Sequence, residues 1–316
     1  MRAVVGVTDN AWATHLRERP HLSEANFWLP SPNGAFKALQ LGEPFLFKTH
    51  HPDNRLVGGG FFSGYGRLSI REAWEYIGEG NGVSSAAQLA DRIGRYRKVE
   101  PSLDLVIGCV FLRDLFFTPP DMTMPAPSDF APNIVRFKGY DLGPESAMEV
   151  HLAGLLERSE VRRVDDVTGR VDMVDGESLL VAGPTRGIPR LVTPRLGQGA
   201  FKGMLLTAYH RQCAITGGHI SPTLQAAHIR PVAKEGQHRL DNGLLLRSDV
   251  HILFDNGYLG IDEHHKLHVS PRLWTDFGNG KEFYSKAGDQ IALPERRQDR
   301  PARDAVQWHM DEVFKR

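Results

Sequence analysis

From Cys213 to Tyr258 the chain reads CAITGGHISPTLQAAHIRPVAKEGQHRLDNGLLLRSDVHILFDNGY, and the reading of this stretch decides the rest. An apolar run, LQAAHIRP, delivers His228. Asn242 follows fourteen residues later, and His251 nine residues after that. SDVHILFD has the pattern of a short helix whose buried side is Val250, Ile252, Leu253 and Phe254. Asp255 stands at i+4 from His251, so both side chains share one helix face and one cation can touch both. Imidazole titrates nearest neutrality of all side chains, which suits His228 to taking a proton from water without heavy tuning.

This ordered trio resembles the HNH nuclease family, whose ββα-metal fold places the three residues on a strand, a loop and a helix. The lead-in LGQGAFKGMLLTAYHRQCAITG (residues 196–217) is similar to the family's approach, a helix followed by a Cys-hairpin. The resemblance implies His228 as general base, Asn242 as the brace that orients it, and His251 as a ligand of Mg²⁺ or Mn²⁺. A hard cation offsets charge on the phosphorane and on the departing 3′ oxygen. One departure stands out. Many members carry Asp or His immediately before the base as a metal ligand, and here that position is Ala227. Asp255, Asn242 or Gln225 completes the site, or water does.

At 316 residues the chain has room for two domains. Its formal net charge is zero, so no global basic signature marks nucleic-acid binding. From Arg195 to His251, however, seven Lys/Arg face three acids, a local bias that suits phosphate. Arg230, Lys234, Arg239 and Arg247 are the candidate phosphate contacts, and Arg247 has the alternative of bridging to Asp249 or Asp255. Two distant cysteines, Cys109 and Cys213, exclude a disulfide framework and a CxxC zinc staple. The opening MRAVVGVTDN has no signal-peptide pattern and no apolar run approaches ~18 residues, so a cytoplasmic protein is expected.

The front half alternates strands with two short helices. RAVVGVT (2–8), NFWLPSP (26–32), LGEPFLFKTH (41–50), RLVGGGFFSGY (55–65), LDLVIGCVFL (103–112) and FAPNIVRFKGYD (130–141) read as strands or strand-bearing segments. Ser69 with Glu72, and Ser85 with Gln88, read as capping boxes that open helices. The order NFW…LGEPFLFK…LVGGGFF…AWEYIG…IGCVFL resembles the PUA-like superfamily, close to its EVE-type branch. That resemblance implies an N-terminal β-barrel with short helices that senses a modified base flipped into an aromatic pocket. Trp12 and Trp28, beside turns and prolines, are the expected pocket walls, with Tyr65 on a loop over it. Trp74 reads as packing, and alternation makes one of Phe61 and Phe62 core.

The expected architecture is α+β throughout. Residues 1–141 form the PUA-like domain, 142–190 a helix and acidic connector with a hairpin in VDMVDGESLLVAG, and 191–316 the nuclease domain. The resemblances together imply a modification-dependent DNA endonuclease acting on double-stranded DNA with a cytosine modification. One such centre cuts one strand, so a homodimer is expected and no membrane is involved. Two alternatives remain at this level: an HNH nuclease of other purpose with a partner-binding front domain, and a binding module with a degenerate nuclease. His264, His265 and His268 in YLGIDEHHKLHVS read as a solvated hairpin. DAVQWHMDEVF reads as a closing helix packed through Val306, Met310 and Val313.

Overall fold

The computed structural model describes residues 1–32, 36–134, 136–143, 146–164, 171–175, 180–181, 190–191, 198–231 and 239–316. It divides into two compact units, Met1–Ala200 and Phe201–Arg316. The class is α+β, as the alternation of apolar strands and capped helices requires.

The first unit runs β1 (Arg2–Thr8), α1 (Asn10–Arg17), β2 (Glu24–Leu29), β3 (Pro44–Thr49), β4 (Arg55–Ser69), α2 (Ile70–Ile77), α3 (Ala86–Arg97) and β5 (Val106–Phe117). It continues through β6 (Met124–Pro125), β7 (Phe137–Asp141), α4 (Ala147–Glu157), β8 (Glu160–Val164) and β9 (Val171–Asp175). One sheet takes the order β7-β1-β3-β4-β5-β8-β9, with β2 added on β5 and β6 on β4. β1 and β3 are parallel, while β3, β4 and β5 pair antiparallel.

Both sheet faces are covered, which explains why β3 reads PFLF with no polar alternation. Phe45 and Phe47 join the cluster under α1 with Trp12 and Leu16. Leu46, between them, joins the opposite cluster with Met148, Leu152, Leu155 and Leu156 of α4. For the same reason Phe61 and Phe62 are both core, one in each cluster, where alternation on a half-buried strand allows only one. Gly58, at φ 153°, lets β4 lie against β5: a Cβ there would come within 2.2 Å of the Phe116 carbonyl oxygen.

The Ser69 capping box forms in full, and Gly78 ends α2 at φ 54°. At α3 only half of the expected box forms. Ser85 Oγ accepts from Gln88 N, but the Gln88 amide reaches back to Ser84 N instead of Ser85 N. The hairpin expected within VDMVDGESLLVAG is corrected. β9 pairs with β8 and so extends the main sheet, while β10 (Leu180–Val181) pairs with β11 (Arg190–Leu191).

In the second unit, α5 (Gln198–Ala208), which spans the division, precedes the Cys213 turn. There Cys213 N donates to Gly218 O and Gly217 N to Cys213 O. β12 (Leu224–His228) and β13 (Gly243–Arg247) form an antiparallel pair, and α6 (Ser248–Asp255) follows without a break. β14 (Leu259–Ile261) and β15 (Leu267–Val269) make the expected hairpin, then α7 (Pro271–Phe277), α8 (Lys281–Tyr284) and α9 (Arg303–Glu312) complete the unit. Its core gathers Phe201, Leu205, Leu224, Leu244, Leu246, Val250, Phe254 and Val306, all buried. Among the described residues, no helix is long and apolar enough to cross a membrane.

α9 packs through a residue the sequence pattern passed over. His309 is 2% exposed, stacks on Phe254 at 3.8 Å and donates Nε2–H to the Phe254 carbonyl at 3.0 Å. Burial pushes its pKa down to about 4. A depressed folded pKa gives stability that is present above the ordinary histidine value and lost as pH falls through the folded one. Stability is expected to drop by on the order of 3 kcal/mol between pH ~6.5 and ~4, with a shallower slope in His309→Gln. Urea unfolding of both proteins across that range measures it, and equal slopes would contradict the assignment.

Candidate active site

The site is built where β12 ends, β13 begins and α6 leaves the sheet. The register opposes His228 to Gly243, so the second strand begins directly across from the histidine. His228 is half-buried and stacks on Phe201 of α5, with ring centroids 4.4 Å apart and planes at 13°. This packing holds the imidazole plane from one side.

Asn242 closes the loop. Its Oδ1 accepts from Arg230 N at 2.9 Å, and its Nδ2 donates to Arg230 O, also at 2.9 Å. Ile229 N adds a backbone bond to Asn242 O at 3.0 Å. One buried amide thus clamps both backbone groups of a residue two positions beyond His228. Neither glutamine nor serine at 242 would reach both atoms with this geometry, which accounts for the residue type.

On α6 the i, i+4 pair forms: His251 Nε2 lies 3.2 Å from Asp255 Oδ2. The other ring nitrogen, Nδ1, lies 2.8 Å from Gln225 Oε1 on β12 and so ties the helix to the strand. Burial raises the Asp255 carboxyl above the usual carboxylate range, and charge at His251 opposes that rise. Two ligands on one octahedral cation at ~2.1 Å sit ~3.0 Å apart, so the pair has the separation a shared cation requires. Among the described residues no group of three or more His, Cys, Asp or Glu side chains could hold a metal. Ala227, fully buried, supplies only a methyl at the position where the resemblance to many HNH members sets the expectation of a metal donor.

The basic candidates divide. The Arg247 guanidinium grips Asp249 with Nε and Nη2 at 2.6 and 2.7 Å, so the carboxylate of Asp249 is held well below its ordinary range. Arg239 pairs with Asp241. Arg230 lies over the Trp308 ring at 5.7 Å. Lys234 lies outside the described residues. Exposed pairs of this kind contribute ~0–1 kcal/mol, so a phosphate can displace the carboxylate at small cost. His268, with Nε2 3.0 Å from Asp262, completes a hairpin turn and no metal cluster.

The first unit has a cavity of about 280 Å³. Val7 to Asp9 at the end of β1, Phe27 to Ser31 from the end of β2 and the residues just after it, and Trp12, His50, Tyr96 and Arg136 line it. Both tryptophans singled out in the sequence are in this wall. Trp28 is half-buried, donates Nε1–H to Asn81 O at 3.1 Å and meets Tyr96 edge-on at 5.7 Å. Trp12 is 2% exposed and packs edge-on against Phe47 and Phe27, so it is as much core as wall. Tyr65 stands elsewhere: its ring packs on the core cluster and its hydroxyl sits against Gly108. Sequence reading passed over Tyr96, whose signal was an aromatic on the exposed side of an otherwise basic helix end, GRYRK.

Residues 213–262 match the family model described as HNH endonuclease. No curated protein matches the chain significantly. Among solved structures, ASCH from Zymomonas mobilis aligns at 10% identity and a TM-score of 0.32, over 47% of this chain and 92% of that one. A modification-dependent TagI restriction endonuclease aligns at 13% identity and a TM-score of 0.26, over 87% of this chain and 63% of that one. Scores this low carry no argument, and the family match stands without them. The second unit carries an HNH endonuclease domain, the machinery of a phosphodiester hydrolase acting on DNA.

Proposed function

We propose that the chain is a modification-dependent DNA endonuclease in which residues 1–141 sense a modified, flipped cytosine and residues 191–316 cut the duplex, with 142–190 joining them. The observation that carries the nuclease half is the bond between His251 of α6 and Gln225 of β12. It sets the His251–Asp255 pair against the strand that ends in His228.

In this reading His228 Nε2 or Nδ1 accepts the proton of the attacking water, with its plane held by Phe201 and its strand end by Asn242. Both polar atoms of the Asn242 amide serve Arg230, so Asn242 acts as the brace and His251 with Asp255 hold the divalent cation. The cation, Mg²⁺ or Mn²⁺, supplies charge neutralisation at the phosphorane and at the 3′ leaving oxygen. With two protein ligands, such a cation would keep water on its remaining positions, as suits an ion that dehydrates reluctantly. Arg230, Lys234, Arg239 and Arg247 contact phosphates. Cutting both strands calls for two such centres and hence a homodimer, working in the cytoplasm.

For the sensing half, the cavity supports the reading by size and lining. It lies at the lower edge of the ~300–1,000 Å³ span of small-molecule pockets, which suits one flat ring better than a whole nucleotide. Trp28 offers a half-exposed aromatic face, and base stacking on such a face contributes ~1–3 kcal/mol. Trp28→Ala is therefore expected to weaken binding to a duplex with a single modified cytosine by roughly 5- to 150-fold, with little effect on the unmodified duplex. Trp12→Ala, at a core position, is expected to lower Tm instead. Fluorescence anisotropy with matched duplexes measures the first and scanning calorimetry the second, and equal binding of the two duplexes by wild-type protein would remove the sensing role.

A further inference from the structure

We propose that Gln225 is a positioning residue: its amide oxygen locks the His251 imidazole with the proton on Nδ1 and aims the Nε2 lone pair at the cation position shared with Asp255. This rests on the reading of His251 and Asp255 as the metal pair.

An amide oxygen only accepts hydrogen bonds, so the 2.8 Å contact from His251 Nδ1 to Gln225 Oε1 requires a hydrogen on Nδ1. A neutral imidazole carries one N–H. Nε2 then presents a lone pair, and 3.2 Å away Asp255 Oδ2 presents another. With the ring neutral, two lone pairs at that separation match the spacing of two ligands on one cation. Without the Gln225 contact the ring could place its hydrogen on Nε2, closing the cation position, or rotate about its χ angles away from Asp255. Ligand histidines are ordinarily held in this way by a partner on the far ring nitrogen.

The same geometry settles which of the sequence-level options Gln225 fulfils. Its oxygen is engaged at the Nδ1 edge of the ring, and a cation on Nε2 lies off the other edge. One cation cannot meet both. Gln225 also occupies an informative place in the strand. The family's extra donor position is Ala227, buried here, and Gln225 is two residues earlier on the same strand face. A site with one protein ligand fewer depends more heavily on the orientation of those that remain.

The side chain is exposed, so substitutions test the contact without disturbing the core. The full chain, stripped of metal and without DNA, is titrated with Mn²⁺ and followed by electron paramagnetic resonance and calorimetry. Gln225→Ala and Gln225→Asn, the second one methylene too short, are expected to weaken Mn²⁺ binding by roughly 10- to 100-fold. Gln225→Glu keeps an acceptor at the same reach and is expected to retain affinity. In ¹⁵N spectra of metal-free protein, about two pH units above the ordinary imidazole pKa, His251 is expected to show one tautomer, protonated at Nδ1. Gln225→Ala is expected to show a mixture. His251→Ala separates the two levels of the claim. If it leaves Mn²⁺ affinity unchanged, the metal pair itself is overturned and Gln225 with it. If it abolishes binding while Gln225→Ala binds Mn²⁺ like wild type and keeps a single His251 tautomer, the pair stands and the positioning role falls. Loss in Gln225→Glu equal to that in Gln225→Ala would also overturn the acceptor argument.

Discussion

His228→Ala is expected to lower the single-turnover cleavage rate by roughly 10²- to 10⁴-fold while the protein stays folded and its Mn²⁺ affinity stays unchanged. That range corresponds to ~2.7–5.4 kcal/mol of barrier. The competing view makes His228 a packing residue, because its ring stacks on Phe201. Magnitudes separate the two. An aromatic pair of this kind contributes ~0.5–1.5 kcal/mol, and the site is half-buried, so lost packing lowers Tm modestly and barely touches the rate of the folded fraction. Rate measured well below Tm therefore reports the proton transfer alone. A decrease under tenfold, accompanied by a fall in Tm, would assign His228 to packing.

The second large effect belongs to Asn242. Asn242→Ala removes two hydrogen bonds to the Arg230 backbone, which contribute about 0.5–1.5 kcal/mol each. In the unit Phe201–Arg316 each kcal/mol moves Tm by roughly 4 °C, so a shift of several degrees is expected in scanning calorimetry. Activity is expected to fall further than stability explains, because the released backbone begins two residues after His228. Asn242→Asp keeps the acceptor for Arg230 N but turns a carboxylate oxygen toward Arg230 O, where a donor is needed. It is expected to lie between wild type and alanine in Tm. Wild-type Tm and rate in Asn242→Ala would show that the loop is held by other contacts.

Much of this architecture was legible in the sequence, for identifiable reasons. Chemistry at fixed spacing is read without knowing the fold, which is why His228, Asn242, His251 and Asp255 fall in one strand–loop–strand–helix unit. Caps and glycines work through local geometry, so Ser69 and Gly78 bound α2 where expected. Long-range partners are different. The choice of β8 for β9, the burial of both Phe61 and Phe62, and the seat of His309 on Phe254 depend on what the rest of the chain places opposite. The pairing of Arg247 with Asp249 was foreseen only as an alternative, because adjacent opposite charges leave both outcomes open until rotamers are fixed. Tyr65 shows the limit of a motif-level argument: glycines beside an aromatic suggested a loop, whereas they allow β4 to run on as a strand through Ser69.

A sensing cavity and a metal-assisted nuclease in one chain can both be tested in a single assay. Matched plasmids, unmodified or with methylated or hydroxymethylated cytosine or methylated adenine, are incubated with Mg²⁺, Mn²⁺ or EDTA, with wild-type protein or His228→Ala. Cutting of a cytosine-modified plasmid is expected, absent in EDTA and slowed by at least roughly 10²-fold with His228→Ala. Equal cutting of every plasmid would contradict the sensing role, and cutting in EDTA, or cutting by His228→Ala at close to the wild-type rate, would contradict the mechanism.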